Sequence, residues 1–310
     1  MTSQRPSLHP LVGDFPAGST FQAGLSALGV LASQAHLTHR DRAIVDWLDR
    51  HGVLTTAQIT AGFFSNPTTA SHRLAKLRAI GLVDRFHRPR PAGGFGPWHW
   101  VIGPLGAQLA AAAREAPAPT PRALRTRVAQ LAASPMLLHL LGTNQFFVDL
   151  YSHTRSHPQT QLVRWWSERD TAARYRGRIH PDGHALWRHR NSVVGLFLEY
   201  DRGTENLSRL VRKLKAYEQL AADGGPVYPV LFWLASTTRE ANLHAALSEQ
   251  HHGLRVPVAT GVCEGHPAAR VWRVFGVRRR HTLAQLPCDH GDPNSLYNPN
   301  LRDPELDLRV

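Results

Sequence analysis

Four acids and one lysine in the second half of the chain have the types and spacing of a phosphodiester-cleaving site. The apolar run Val193 to Tyr200 ends in Glu199 and Asp201, one residue apart. Asp182 follows His180-Pro181 on the strand expected just before it, and Glu168 lies further upstream. After a short cap, Gly203-Thr204-Glu205, comes a basic amphipathic helix that carries Arg209 and Lys213. Carboxylates on adjacent strands suit a hard divalent cation, Mg²⁺ or Mn²⁺, which polarises a phosphoryl oxygen while a lysine steadies the developing charge. The candidate catalytic residues are therefore Asp182, Glu199, Lys213 and Glu168, and the candidate metal ligands are Asp182, Glu199 and Asp201. A plainer alternative has Asp201 and Glu205 capping the positive end of the helix. Glu199 would then pair with Arg202 or Arg178, and Asp182-Gly183 would be an ordinary turn.

These residues need a sheet to hold them. A long helix is expected from Ser134 to about His153, then strands at Leu162–Trp166 and Ile179–Trp187, with Arg190-Asn191-Ser192 turning the second into the buried central strand. The helix over 205–221 has a core stripe of Leu207, Leu210, Val211, Leu214 and Tyr217, and Lys213 borders it. A strand at Pro226–Ala235, a helix capped by Thr237 or Thr238 and running to about Gln250, and an edge strand at Val256–Val262 complete the unit. Strand alternation turns Tyr200, one conceivable DNA-breaking nucleophile, away from Glu199 and Asp201. Tyr175 in the basic segment YRGRIH is the other, and His180 and His184 read as surface histidines.

Residues 36–113 read as a winged helix-turn-helix. Thr38 with Asp41 forms a variant capping box, Gly52 stops the first helix, and Thr55 or Thr56 caps the second. Asn66-Pro67 opens a third helix, with Ala70, Leu74, Leu77 and Ile80 at helical spacing. Leu82–Phe86 and WHWVI form a hairpin around the turn RPRPAGGFGP. In this fold the third helix enters the major groove. Ser71, His72 and Arg73 are the candidates for base edges and Lys76 for phosphate, with Thr69 and Arg78 on the same polar face. Arg85, His87, Arg88 and Arg90 are offered by the wing. The alternative use of such a unit is protein contact or homodimerisation.

The whole chain carries 36 Lys and Arg against 23 Asp and Glu, a net charge of +13, plus 19 His. That balance favours a polyanionic partner, double-stranded DNA above all. The first unit has nine Lys and Arg against four Asp, and residues 122–190 have eleven against four acids, so both look able to hold DNA. Two cysteines, Cys263 and Cys288, allow no disulfide framework and no multi-cysteine zinc site, which fits a reducing, cytoplasmic home. No run of about 18 apolar residues predicts a membrane span. Walker A, GxGxxG, GxSxG and HExxH patterns are absent from the sequence. The organisation read from composition is a loose leader over 1–35, the first unit, a Pro/Ala linker over 114–121, a second unit over 122–285, and an acidic, Pro-containing tail over 286–310.

The element order of the second unit, with Pro181-Asp182 and Glu199 on neighbouring strands, resembles the PD-(D/E)xK nuclease superfamily over roughly 134–265. The resemblance implies an α+β (or α/β) architecture in which a restriction-endonuclease-like mixed sheet follows the winged helix. It also implies a lysine two residues after Glu199. Asp201 stands there, and Lys213 on the following helix is the residue that would supply the charge. The segments THRDRAIVDWL, SHRLAKLRAIGLVDR, HPDG and LEYDRGTE together resemble the replication-relaxation family of actinobacterial plasmids and integrative elements. That resemblance implies a role in replication, DNA relaxation or conjugative transfer, alongside other transfer or replication proteins. Catalysis by nicking and a non-catalytic accessory role both remain open at this point.

Overall fold

The computed structural model describes residues 37–89, 93–250 and 253–299. The protein is a mixed α+β chain that divides into two compact units at Asn144/Gln145.

In the first unit, helix α1 (His39–His51) begins at Thr38, whose hydroxyl accepts the Asp41 N–H while the Asp41 carboxylate accepts the Thr38 N–H. It ends at Gly52, whose φ of 80° favours glycine. Strand β1 (Leu54–Thr55) leads into α2 (Thr56–Phe63), which Thr55 and Gln58 cap in the same reciprocal way. Asn66 caps α3 (Pro67–Ala79), with Pro67 in its first turn. Strands β2 (Val83–Phe86) and β3 (His99–Ile102) form an antiparallel hairpin, and β1 adds to the far side of β3. This is the element order expected of a winged helix-turn-helix. Ala70, Leu74 and Leu77 are buried as the spacing predicts, but Ile80 is the C-cap of α3 and stands exposed.

Residues 116–120, in the Pro/Ala segment, form neither helix nor strand. They join α4 (Pro104–Ala113) to α5 (Pro121–Ala133) within the first unit. Val128 of α5 and Leu137 at the start of α6 (Leu137–Ser156) pack with Val53, Phe86 and Val101. The Asn144 amide donates to the carbonyls of His51 (3.2 Å), the last residue of α1, and Val53 (2.8 Å), just beyond it. The structural division therefore falls within α6, downstream of the linker expected at 114–121.

The second unit is built on a seven-stranded mixed sheet. Its strands in chain order are β4 (Thr160–Ser167), β5 (Gly183–His189), β6 (Ser192–Asp201), β7 (Val230–Leu234), β8 (Val258–Val262), β9 (Trp272–Val274) and β10 (Arg280–His281). The sheet runs β10-β9-β8-β7-β6-β5-β4. β4, β5 and β6 form an antiparallel meander, and α8 (Leu207–Ala222) crosses over to β7, which is parallel to β6. β8 continues the parallel part and β9 and β10 reverse it. Short helix α7 (Glu168–Arg174) follows β4, and α9 (Thr237–Gln250) follows β7. Leu210, Val211, Leu214 and Tyr217 of α8 pack with Leu243 and Leu247 of α9 over Phe197, Val230 and Phe232. Period-two alternation then sends Phe197, Glu199 and Asp201 to that helix-covered face.

Several boundaries differ from those read in the sequence. Asn206, not Gly203-Thr204-Glu205, caps α8. Ser236 rather than Thr237 or Thr238 starts α9, its hydroxyl accepting the Arg239 N–H at 3.2 Å. β8, expected at the edge, lies inside the sheet, because β9 and β10 are too short to show a period and went unseen. The tail expected to be loose is docked over its described part. Asp289 bridges to Val227, the Tyr228 hydroxyl meets His290 Nδ1 at 2.8 Å, and Asn298 is fully buried. Residues 300–310, the leader and Arg90 lie outside the described residues.

Candidate active site and nucleic-acid face

The strand registers bring three acids to one end of the sheet. β4 pairs Ser167 with Gly183, and β5 pairs Gly183 with Leu198. Just beyond these last pairs, Asp182 precedes β5 and Glu199 follows Leu198 on β6, while Glu168 opens α7 after β4, so the three acids gather at this end of the sheet. Asp182 sits in the bend immediately before β5 rather than on the strand itself. Its Oδ2 accepts the Tyr200 N–H at 2.7 Å, which ties that bend to β6. Gly183 begins β5 because the Phe147 ring lies where a side chain would go, 2.5 Å from a Cβ at that position. Glu168 is the exposed first residue of α7.

Glu199 is buried, and α8 reaches it with two side chains one helical turn apart. Lys213 Nζ donates to Oε2 at 2.7 Å, and the Tyr217 hydroxyl donates to Oε1 at 2.6 Å. Lys213 keeps about a third of its side chain in solvent and also stands 3.7 Å from Glu205. Burial raises the Glu199 carboxyl to about 7, and the Asp182 charge pushes the same way, against the pull of Lys213 and Tyr217. Burial works against the charge on Lys213, but the Glu199 carboxylate more than offsets it, so the ammonium is held above its ordinary range. Burial and then the Glu199 charge keep Tyr217 protonated, as a hydrogen-bond donor. A carboxyl that titrates near neutrality beside a second acid and a lysine is the kind of group that active sites collect.

Asp201 does something else. Both its oxygens face Arg239, at 2.6 Å and 3.3 Å, and Oδ1 also accepts the Gly203 N–H. Arg239 binds the Glu205 carbonyl as well, so this pair fastens the β6–α8 connection to α9. Asp201, expected among the metal ligands, is thus held by Arg239 and the Gly203 N–H, and the structure does not bring it to Lys213. Among the described residues no three His, Cys, Asp or Glu side chains form a metal-holding group, and the carboxylate donors at hand are Asp182 and Glu199. Tyr217 and Arg239 were missed in the sequence. Tyr217 is the one polar-tipped residue in an aliphatic stripe, and a buried hydroxyl must find a partner. Nothing local pointed to Arg239, because its partner is 38 residues away.

On the first unit, Thr69, Ser71, His72 and Lys76 stand exposed along α3. Arg73 does not share their freedom. Its guanidinium makes a two-pronged ion pair with the fully buried Asp41, the same carboxylate that caps α1. Burial alone would raise the Asp41 carboxyl, but hydrogen bonds from Arg73 and Thr38 together with the Arg73 charge outweigh it and hold it below the ordinary range. Its stabilising contribution is therefore present above the unfolded-state value and lost as pH falls through the folded one. Arg73→Ala will lower the stability of the first unit by about 2–3 kcal/mol at pH 7, measured by denaturant unfolding, because it strands a buried charge. An unchanged midpoint would return Arg73 to the base-reading set. Arg78 pairs with Asp84 at 3.1 Å, Arg85 lies 3.7 Å over the Trp98 ring, and Arg88 reaches the Ser134 carbonyl.

Tyr175 is fully buried among Trp166, His184 and Phe197, out of reach of a DNA strand. His184, expected at the surface, is buried, with Nδ1 on the Leu196 carbonyl at 2.8 Å, whereas His180 is exposed. Tyr200 is half-buried and, as alternation predicts, faces away from Glu199. Among the described residues no helix is long and apolar enough to cross a membrane.

In comparison with known proteins, the family model described as Replication-relaxation fits residues 45–229. No curated protein and no solved structure matches. The matched stretch covers more than half of the chain and spans α3, the hairpin, Asp182, Glu199 and Lys213. The chain belongs to the replication-relaxation family.

Proposed function

We propose that this protein binds double-stranded DNA of a plasmid or integrative element through its first unit and nicks it with a divalent-metal site in its second. The observation that carries the reading is the meeting of Asp182, Glu199 and Lys213 at one sheet end, the lysine arriving from α8 in place of the absent strand lysine. Asp182 and Glu199 would hold one Mg²⁺ or Mn²⁺, an ion that commonly takes one or two carboxylates and fills its shell with water and phosphate oxygens. The donor set suits such an ion: hard oxygens from two side chains, one of them an acid that burial and a neighbouring charge leave ready to exchange a proton for a cation. When bound, the ion would polarise a phosphoryl oxygen and acidify a water. Lys213, part in solvent and part against Glu199, orients that carboxylate and presents a positive charge to a phosphate. Glu168, exposed at the same end, is placed to orient a water. On the first unit, Ser71, His72 and Lys76 supply the outward face of α3, and other transfer or replication proteins would join on the DNA.

The test is incubation with supercoiled plasmid from the protein's own element, with Mg²⁺ or Mn²⁺ against EDTA. Open-circular product with metal and none with EDTA is the expected result. DNA affinity should also fall steeply with salt, as phosphate contacts require. A second reading is favoured by both Glu199 oxygens already being hydrogen-bonded and by Asp201 standing where the strand lysine is expected. On that reading the protein is a non-catalytic accessory factor, and it binds DNA without cutting under either metal.

A further inference from the structure

The wing hairpin of the first unit carries a column of stacked flat groups that ends in an exposed ring. The His87 imidazole lies parallel to the Phe95 ring, 3.8 Å between centroids and 3° between planes. It is equally parallel to Trp98, at 4.3 Å and 5°. Two rings cannot both stack that closely on one imidazole face, so His87 is sandwiched between them. The Arg85 guanidinium lies 3.7 Å over Trp98, and Trp100 lies beyond it at 5.4 Å. Trp100 is anchored in the unit, its indole N–H donating to Thr56 Oγ1 at 2.9 Å. The column therefore runs from a fixed, buried indole outward to Phe95, which is 56% exposed.

An isolated exposed phenylalanine is unremarkable on a protein surface. A phenylalanine whose inner face is stacked flat and whose outer face meets water is different, because it is a preformed stacking platform with its rotamer already held. A nucleobase is the flat group that continues such a column, and Arg85 deeper in it and Arg88 on the same hairpin give the wing a positive charge that suits the phosphates that accompany it. Insertion between the steps of an intact duplex would also have to unstack them, at a few kcal/mol per step. An unpaired base needs no such unstacking.

We propose that Phe95 stacks on an unpaired base, so that the wing recognises opened or distorted DNA in preference to intact duplex. This rests on the DNA-binding reading of the first unit and adds to it the form of DNA that the wing prefers.

The test is fluorescence anisotropy with the full chain and two labelled duplexes of one sequence, one fully paired and one with a single-base bulge. Wild type is expected to bind the bulged duplex about 10-fold more tightly, the range that one base–aromatic stack provides. Phe95→Ala should erase that preference while leaving affinity for the paired duplex within about two-fold. Phe95→Trp, which keeps a flat ring, should retain it. Phe95 is exposed, so these variants should melt as the wild type does, and a thermal scan checks this. Equal wild-type affinity for the two duplexes, or a preference that survives Phe95→Ala, overturns the proposal while leaving DNA binding intact. Failure of the wild type to bind either duplex at low salt overturns the DNA-binding reading and this inference with it.

Discussion

Asp182→Ala and Glu199→Ala will each abolish metal-dependent nicking of supercoiled plasmid, and Lys213→Ala will slow it by about 100- to 1000-fold, the usual effect of removing one charge-stabilising donor. The three effects have different origins. Asp182 and Glu199 are the two carboxylates of the proposed cation site, so losing either loses the ion. Lys213 touches Glu199 rather than coordinating anything, and its removal leaves a buried acid without its counter-charge. Without that ammonium, Glu199 titrates higher still, so Lys213→Ala should regain part of its rate as pH is raised. Lys213→Arg should recover more, because a guanidinium keeps the charge. If all three variants nick as the wild type does, the cutting belongs elsewhere in the chain or to a contaminant.

Asp201→Ala will destabilise the second unit by about 3–5 kcal/mol, whereas Glu199→Gln will leave its stability within about 1 kcal/mol of wild type at pH 8. The two acids stand one residue apart on the same face of β6, and the contrast follows from their partners. Asp201 binds Arg239 through both oxygens, and that guanidinium is mostly buried and loses its counter-charge when the carboxylate is gone. Glu199 is a buried charge that burial and Asp182 both disfavour, and a neutral amide can still bond Tyr217 and Lys213. The sign follows from its raised value. The folded state holds a proton on Glu199 that the unfolded chain releases, so stability falls as pH rises from the ordinary carboxylate range to about 7 and levels off above it. Urea unfolding of both variants measures this. Equal loss at the two positions would make Glu199 a structural acid like its neighbour.

Much of this was readable in the residues because the signals were local. The capping boxes at Thr38 and Thr55, the Asn66-Pro67 start and the glycine stop at Gly52 give the first unit its helices within a residue or two. The meeting of Glu199 with Lys213 was readable from alternation along β6 and from the position of Lys213 beside a helical stripe. What escaped was set by partners far off in sequence. Arg73 looks like a base-reading residue on a polar helix face until Asp41, 32 residues earlier, claims it. Asp201 looks like the twin of Glu199 until α9 delivers Arg239. β9 and β10 are too short to carry a period, so β8 reads as an edge, and the docking of residues 286–299 depends on contacts with Val227 and Tyr228 that composition does not encode.

The most direct measurement of the central claim is a calorimetric Mn²⁺ titration of the full chain at pH 6 and pH 8, for wild type, Asp182→Ala and Glu199→Gln. The account predicts one site in the wild type. Its affinity should rise as pH passes through about 7, with a proton released on binding, because the cation and the proton compete for Glu199. Both variants should lose it. Binding that is absent at millimolar Mn²⁺, or that persists unchanged in both variants, would contradict a cation site at Asp182 and Glu199.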